Sequence, residues 1–123
     1  MRVWLVAVVI ALSMMTSGSA RAQTSPDPDP DPWFGTDKAL HFGAGFGIAA
    51  AGYAGGIAAF DDRWSAVAFG SGISIGLGAA KEGLDAAGLG QPSWKDFAWD
   101  VIGAALGIGV AVSFDAALRG PDP

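Results

Sequence analysis

Read for hydrophobic and polar positions, the chain begins with a short apolar run and a polar stretch. Three long apolar segments follow, divided by brief polar breaks. The long segments run from about Asp37 to Phe60, from about Trp64 to Ala87, and from Ser93 to about Leu118. None alternates with the period of two expected of a half-buried strand, so each is read as a helix. Each is also long enough for a bilayer crossing of about 20 residues. Thr36 is the expected N-cap of the first helix. Asp61-Asp62-Arg63 forms a polar turn, and Gly88 can cap the end of the second helix. The loop Leu89-Gly90-Gln91-Pro92 contains a helix breaker. Ser93 opens the third helix with Asp96 three residues on, the spacing of a capping box, and Gly120-Pro121 stops it.

The two leading stretches have separate characters. Residues 1–22 read as a signal peptide: Arg2 supplies the positive start, Val3 to Met15 the apolar run, and Ala20-Arg21-Ala22 the small-x-small cleavage pattern. An uncleaved anchor helix is the alternative, although the run is short for a span of about 20 residues. Residues 23–35 form a tether in which alternating Pro and Asp disfavour both helix and central strand. The helical domain then covers 36–120.

Glycine changes the picture. The chain has 19 glycines in 123 residues, and most of them lie inside the apolar segments. In water each would cost a helix interior about 1 kcal/mol. In lipid, a non-helical backbone has no water to bond, so the helix is the better state. The expected fold is therefore all-α: a three-helix antiparallel, Gly-rich membrane bundle after a cleaved signal peptide. A compact water-soluble bundle is the competing reading. Small residues recur every four positions, as Gly43, Gly47, Ala51 and Gly55 on the first helix, with a second stripe through Gly45, Ala49, Gly52 and Gly56. The second helix offers Ala68, Gly72, Gly76 and Ala80, and the third Gly103, Gly107 and Ala111. Such faces let helices approach closely in lipid. They would pack neighbours within one chain or, alternatively, build a glycine-zipper oligomer. Trp33, Phe34, Trp94, Phe97 and Trp99 fall at one end of such a bundle and Phe60, Trp64 and Phe114 at the other, as two interfacial girdles would.

The charges gather. In an up-down-up arrangement, Asp37, Lys38 and His41 share one end with Lys81, Glu82, Asp85, Lys95, Asp96 and Asp100. Carboxylates that face the interior of a membrane bundle are functional candidates. As a catalytic set, His41 would act as general base, with Glu82, Asp85 and Asp100 beside it. As a metal set, His41, Glu82, Asp96 and Asp100 suit Mg²⁺ or Mn²⁺ better than zinc, because one histidine with carboxylates is a hard donor set. As a binding set, Lys38, Lys81 and Lys95, with Asp37 and Asp96, would hold a charged headgroup. The competing reading is structural: the same lysines pair with the same acids and lock the helix ends. The formal charge of −5 argues against a nucleic-acid partner, which needs a basic face, and the absence of cysteine excludes disulfides and thiolate sites. Cleavage would leave five basic against 12 acidic residues, a formal charge of −7.

Three blocks carry a likeness. Asp37-Lys38-Ala39-Leu40-His41-Phe42 resembles the Asp-Lys-x-x-His-Phe opening of the YfiM-like family of periplasmic lipoproteins. Gly78-Ala79-Ala80-Lys81-Glu82-Gly83-Leu84-Asp85 resembles its Gly-x-x-Lys-Glu-x-x-Asp block. Ser93-Trp94-Lys95-Asp96, continuing through Asp100 to Gly103, resembles its third. A looser likeness extends to VanZ-like membrane proteins. The resemblance implies an envelope location and carries no activity with it. The chain departs from lipoprotein members in having no cysteine at the cleavage site. The expectation is an inner-membrane protein of the cell envelope, its charged end on the periplasmic side, that acts on or binds lipid headgroups. Periplasmic or outer-membrane association is the alternative location. A scaffold that binds another envelope protein is the alternative role.

Overall fold

The computed structural model describes residues 29–121. The expected signal peptide, 1–22, and the first part of the tether, 23–28, lie outside the described residues. Within them the chain is all helical. Helix α1 is Thr36–Phe60, α2 is Arg63–Leu84 and α3 is Trp94–Arg119, with a single π-helical turn at Asp85–Leu89 between α2 and α3. Among the described residues α1 and α3 are long and apolar enough to cross a membrane.

The helix ends follow from local chemistry, with three departures from expectation. Thr36 lies inside α1 and does not cap it. Gly35 takes the N-cap position without a side-chain bond, and its carbonyl accepts from Ala39 N–H at 3.1 Å to close the first turn. Regular α-helical bonding in α2 stops at Leu84, before the expected Ala87, and widens into the π-turn. Gly88 then takes φ 103°, a left-handed conformation that costs glycine no steric clash. At α3, Ser93 Oγ accepts from Asp96 N–H at 3.2 Å, as a capping box requires. The reciprocal bond comes from elsewhere: Ser93 N–H donates to Glu82 Oε2 at 2.7 Å. The Asp96 carboxylate is held by other partners, described below.

Helix α1 is the central element and packs on both α2 and α3. The start of α1 lies beside the start of α3, where Lys38 meets Asp96, and Glu82 near the end of α2 reaches Ser93. At the far end Tyr53 and Arg63 both bond Asp115. Contact along α1 and α3 is backbone to backbone. A Cβ on Gly45 would overlap the Asp100 carbonyl, one on Gly103 the Phe42 carbonyl, and one on Gly107 the Phe46 carbonyl. Small residues permit that approach.

The seam on α2 is not the expected one. The buried residues are Ala66, Gly70, Ser74 and Gly78, whereas Ala68, Gly72, Gly76 and Ala80 are exposed. Two residues are about 200° around a helix, so the expected stripe is on nearly the opposite face. Two contacts select the observed one. A Cβ on Gly70 would come within 2.6 Å of the Ala49 carbonyl, and Ser74 Oγ–H donates to the Gly45 carbonyl at 2.9 Å.

Burial in this bundle is inverted relative to a water-soluble one. Among the described residues the buried apolar ones are Ala49, Tyr53, Ala54, Ala66 and Ala104, and the largest fully buried side chain is Lys38. Large apolar side chains such as Trp64, Leu106, Val110, Phe114 and Leu118 are exposed. Only 28% of the apolar stretch of α1 and 17% of that of α3 lies inside the molecule, so neither behaves as the core helix of a globular domain.

Candidate functional site

The charged end resolves into two parts. The outer part is a lock centred on Lys38. Its side chain is 2% exposed, and its ammonium donates to Asp31 at 2.5 Å, Asp37 at 2.8 Å and Asp96 at 2.6 Å. Three carboxylates match the three N–H bonds of an ammonium, so the buried charge is satisfied. Asp31 also accepts from Ser93 Oγ–H at 2.7 Å, and its carbonyl accepts from Lys95 at 2.5 Å. Lys95 lies 3.3 Å from Asp29 and 5.5 Å above the Trp33 ring. Trp99 Nε1–H donates to the Trp33 carbonyl at 2.8 Å, and Trp33 meets Trp94 edge to face. The end of the tether, expected to be extended and solvated, is therefore strapped across the helix ends from Asp29 to Trp33. The Lys38 ammonium holds the Asp31 carboxyl below the usual carboxylate range, and Ser93 adds to that effect.

The inner part is one turn deeper. His41 Nε2 faces Asp96 at 3.2 Å and Nδ1 faces Asp100 at 3.1 Å. The Nδ1 contact has hydrogen-bond geometry, so with Asp100 ionised that nitrogen carries a proton, whereas the Nε2 contact is an ion-pair distance only. The other oxygen of Asp100, Oδ2, is buried and has no hydrogen-bond partner. It lies against Gly78, where a Cβ would come within 2.9 Å of it.

His41 and Asp100 line a cavity of about 290 Å³ between α1 and α2. Asp37 and Lys81 are its other charged lining residues, and Leu40, Ile48 and Leu77 give it apolar walls. From Asp37 to Ile48 is eleven residues of α1, so the cavity follows the helix inward for about 16 Å. Lys81 is half exposed and pairs with Asp85 at 2.6 Å and more loosely with Glu82 at 3.9 Å.

The residues singled out in the sequence therefore have different places. His41, Asp37, Lys81 and Asp100 line the cavity, while Lys38, Lys95 and Asp96 belong to the lock, Asp96 also touching His41. Glu82 caps α3, and Asp85 pairs with Lys81 at the start of the π-turn. His41, Glu82, Asp96 and Asp100 do not converge as a metal site, because Asp96 and Asp100 flank the imidazole and Glu82 turns to Ser93. Among the described residues the carboxylates that do converge are Asp31, Asp37 and Asp96, within 4.8 Å of one another. The Lys38 ammonium bonds all three, so a lysine takes the position a cation would fill. Asp31, Ser74, Gly78 and the apolar wall were not singled out as site residues from the sequence. Asp31 carried no distinguishing signal among the alternating Pro-Asp residues.

A second, smaller network closes the other end of the bundle. Asp115 accepts from Arg63 at 2.5 Å and from Tyr53 at 3.1 Å, and Arg119 reaches Asp61 at 2.6 Å. Comparison of the chain with family models, with curated proteins and with solved structures finds no match.

Proposed function

We propose that the chain is an exported, glycine-rich membrane protein of the cell envelope, its three helices antiparallel behind a cleaved signal peptide. Its charged end faces the periplasm, and the cavity between α1 and α2 holds the headgroup of a lipid. The carrying observation is the cavity itself. It joins charged groups at the bundle end, His41, Asp37, Lys81 and Asp100, to the apolar wall of Leu40, Ile48 and Leu77. That polarity runs in the same direction as a lipid's. The inverted burial supports the membrane half of the reading: large apolar side chains outside and ion pairs inside suit hydrocarbon as solvent. The likeness to the YfiM-like family is part of the same proposal, and its blocks supply most of the charged residues.

The test is lipid retention. The full chain purified in mild detergent should carry a lipid that Asp100→Asn loses while the protein still accumulates in membranes. A folded chain that retains no lipid, and binds none when lipids are added back, would refute the reading. A deletion strain with altered headgroup composition would point to turnover of that lipid. A scaffold role is favoured by one specific observation, the complete satisfaction of Lys38 by three carboxylates. It accounts for the outer lock but leaves the cavity and the unpartnered Asp100 oxygen without a purpose.

A further inference from the structure

We infer that the headgroup recognised in this cavity is one bearing a primary ammonium, an inference that rests on the lipid-site reading above. Donors and acceptors around the cavity do not balance. Both nitrogens of His41 already face carboxylates. Ser74 Oγ–H is directed to the Gly45 carbonyl. Lys81 is paired with Asp85 and lies near Glu82. The donors on the wall are thus largely engaged. Two buried acceptors at this end have no hydrogen-bond partner, Glu82 Oε1 and Asp100 Oδ2, and of the two Asp100, its side chain 8% exposed, is the one that lines the cavity. Gly78 puts no side chain over that oxygen. A buried acceptor without a donor is costly, so the ligand that completes the site should bring an N–H or O–H to it.

Charge selects between them. Across the whole charged end, Asp29, Asp31, Asp37, Glu82, Asp85, Asp96 and Asp100 outnumber Lys38, Lys81, Lys95 and protonated His41, while the charges that line the cavity itself, Asp37 and Asp100 against Lys81 and His41, balance. A headgroup that is only anionic gains nothing from that surrounding excess of acid, and neither does a neutral hydroxyl. A quaternary ammonium has the charge but no N–H. A primary ammonium has both, and the molecule already shows how it holds one, in the Lys38 ammonium among three carboxylates. A divalent ion would need several free oxygens converging, and those that converge are bonded to Lys38.

The test uses the full chain in detergent and its single histidine as a local reporter. Short-chain phosphatidylethanolamine, phosphatidylcholine and phosphatidylglycerol are titrated while the His41 ring ¹⁵N signals are followed, with MgCl₂ as a separate arm. Phosphatidylethanolamine should shift His41 and bind at least about tenfold more tightly than the other two, because a site built to bond an N–H rejects an analogue that lacks it. Asp100→Asn should erase that preference. Equal affinity for the ethanolamine and choline lipids, tighter binding of the glycerol lipid, or saturation by Mg²⁺ alone would overturn the ammonium assignment and leave a lipid site standing. Failure of all three lipids to perturb His41 would instead overturn the lipid-site reading itself. The headgroup series on the native chain decides the matter even where Asp100→Asn does not fold.

Discussion

Replacing Lys38 with methionine should destabilise the bundle more than any other single change at the charged end. Methionine keeps the length and apolar stem of the side chain and removes the ammonium. Breaking a buried ion pair from one side costs about 3–5 kcal/mol, because the partner charge stays behind. Of the three partners only Asp96, at 11% exposure, fits that case. Asp31 and Asp37 are 37% and 57% exposed, so water screens them and each adds only about 0–1 kcal/mol. Asp96 also retains His41 at 3.2 Å, which places the total near the lower end, about 3 kcal/mol or roughly a hundredfold in the folding equilibrium. Unfolding of the chain in detergent can be followed by tryptophan emission, since Trp33, Trp94 and Trp99 surround the lock. Adding Asp96→Asn to Lys38→Met should recover part of the loss, because the orphaned charge is then removed as well. A Lys38→Met chain within about 0.5 kcal/mol of the native one would show that the three ion pairs hold nothing together.

Three further outcomes follow. Gly103→Ala should lose stability, because its Cβ overlaps the Phe42 carbonyl and overpacking of about 1–3 kcal/mol outweighs a helix-propensity gain of up to about 1 kcal/mol, whereas Gly109→Ala meets open space and should be neutral or stabilising in the same unfolding assay. Acid should release the strap only late: the Asp31 carboxyl is lowered by Lys38 in the folded chain, so its contribution is complete above the ordinary carboxyl value and is lost as pH falls through the lowered one, which amide exchange at residues 31–35 would report. Asp31→Asn should release the same segment at neutral pH, and strap exchange as slow as in the native chain would contradict the assigned contacts.

How far the sequence could be read depended on whether each position had a distinctive neighbour. The ends of α1, α2 and α3 were legible to within a few residues because Asp62, Ser93, Gly88 and Gly120 are turn and cap residues with fixed chemistry. The face of α2 was not. More than half of the positions there are Gly, Ala or Ser, so the stripe through Ala68 and the stripe through Ala66 look alike in one dimension. The choice is made by Ser74, which needs an acceptor once buried, and by the close backbone approach at Gly70. Convergence of Lys38, His41, Asp96 and Asp100 followed from topology and was expected. Its division into a lock and a cavity was not, because it turns on Asp31, one of several equivalent aspartates between prolines, being the one that reaches Lys38. The partner of Glu82 was hidden for a related reason: the capping box assigned Ser93 N–H to Asp96, and Lys38 and His41 draw that carboxylate away.

In the proposed membrane reading, the bundle keeps its charges inside and turns its large apolar side chains to lipid. The chain has no cysteine, so single nitroxide labels can be placed without background. Labels at Leu106→Cys and Val110→Cys, both on the exposed face of α3, should collide with dissolved oxygen far more than with a water-soluble nickel chelate in reconstituted bilayers. A label at Asp61→Cys, in the turn between α1 and α2, should show the reverse. Free access of the nickel chelate to positions 106 and 110 would place that face in water and contradict the account.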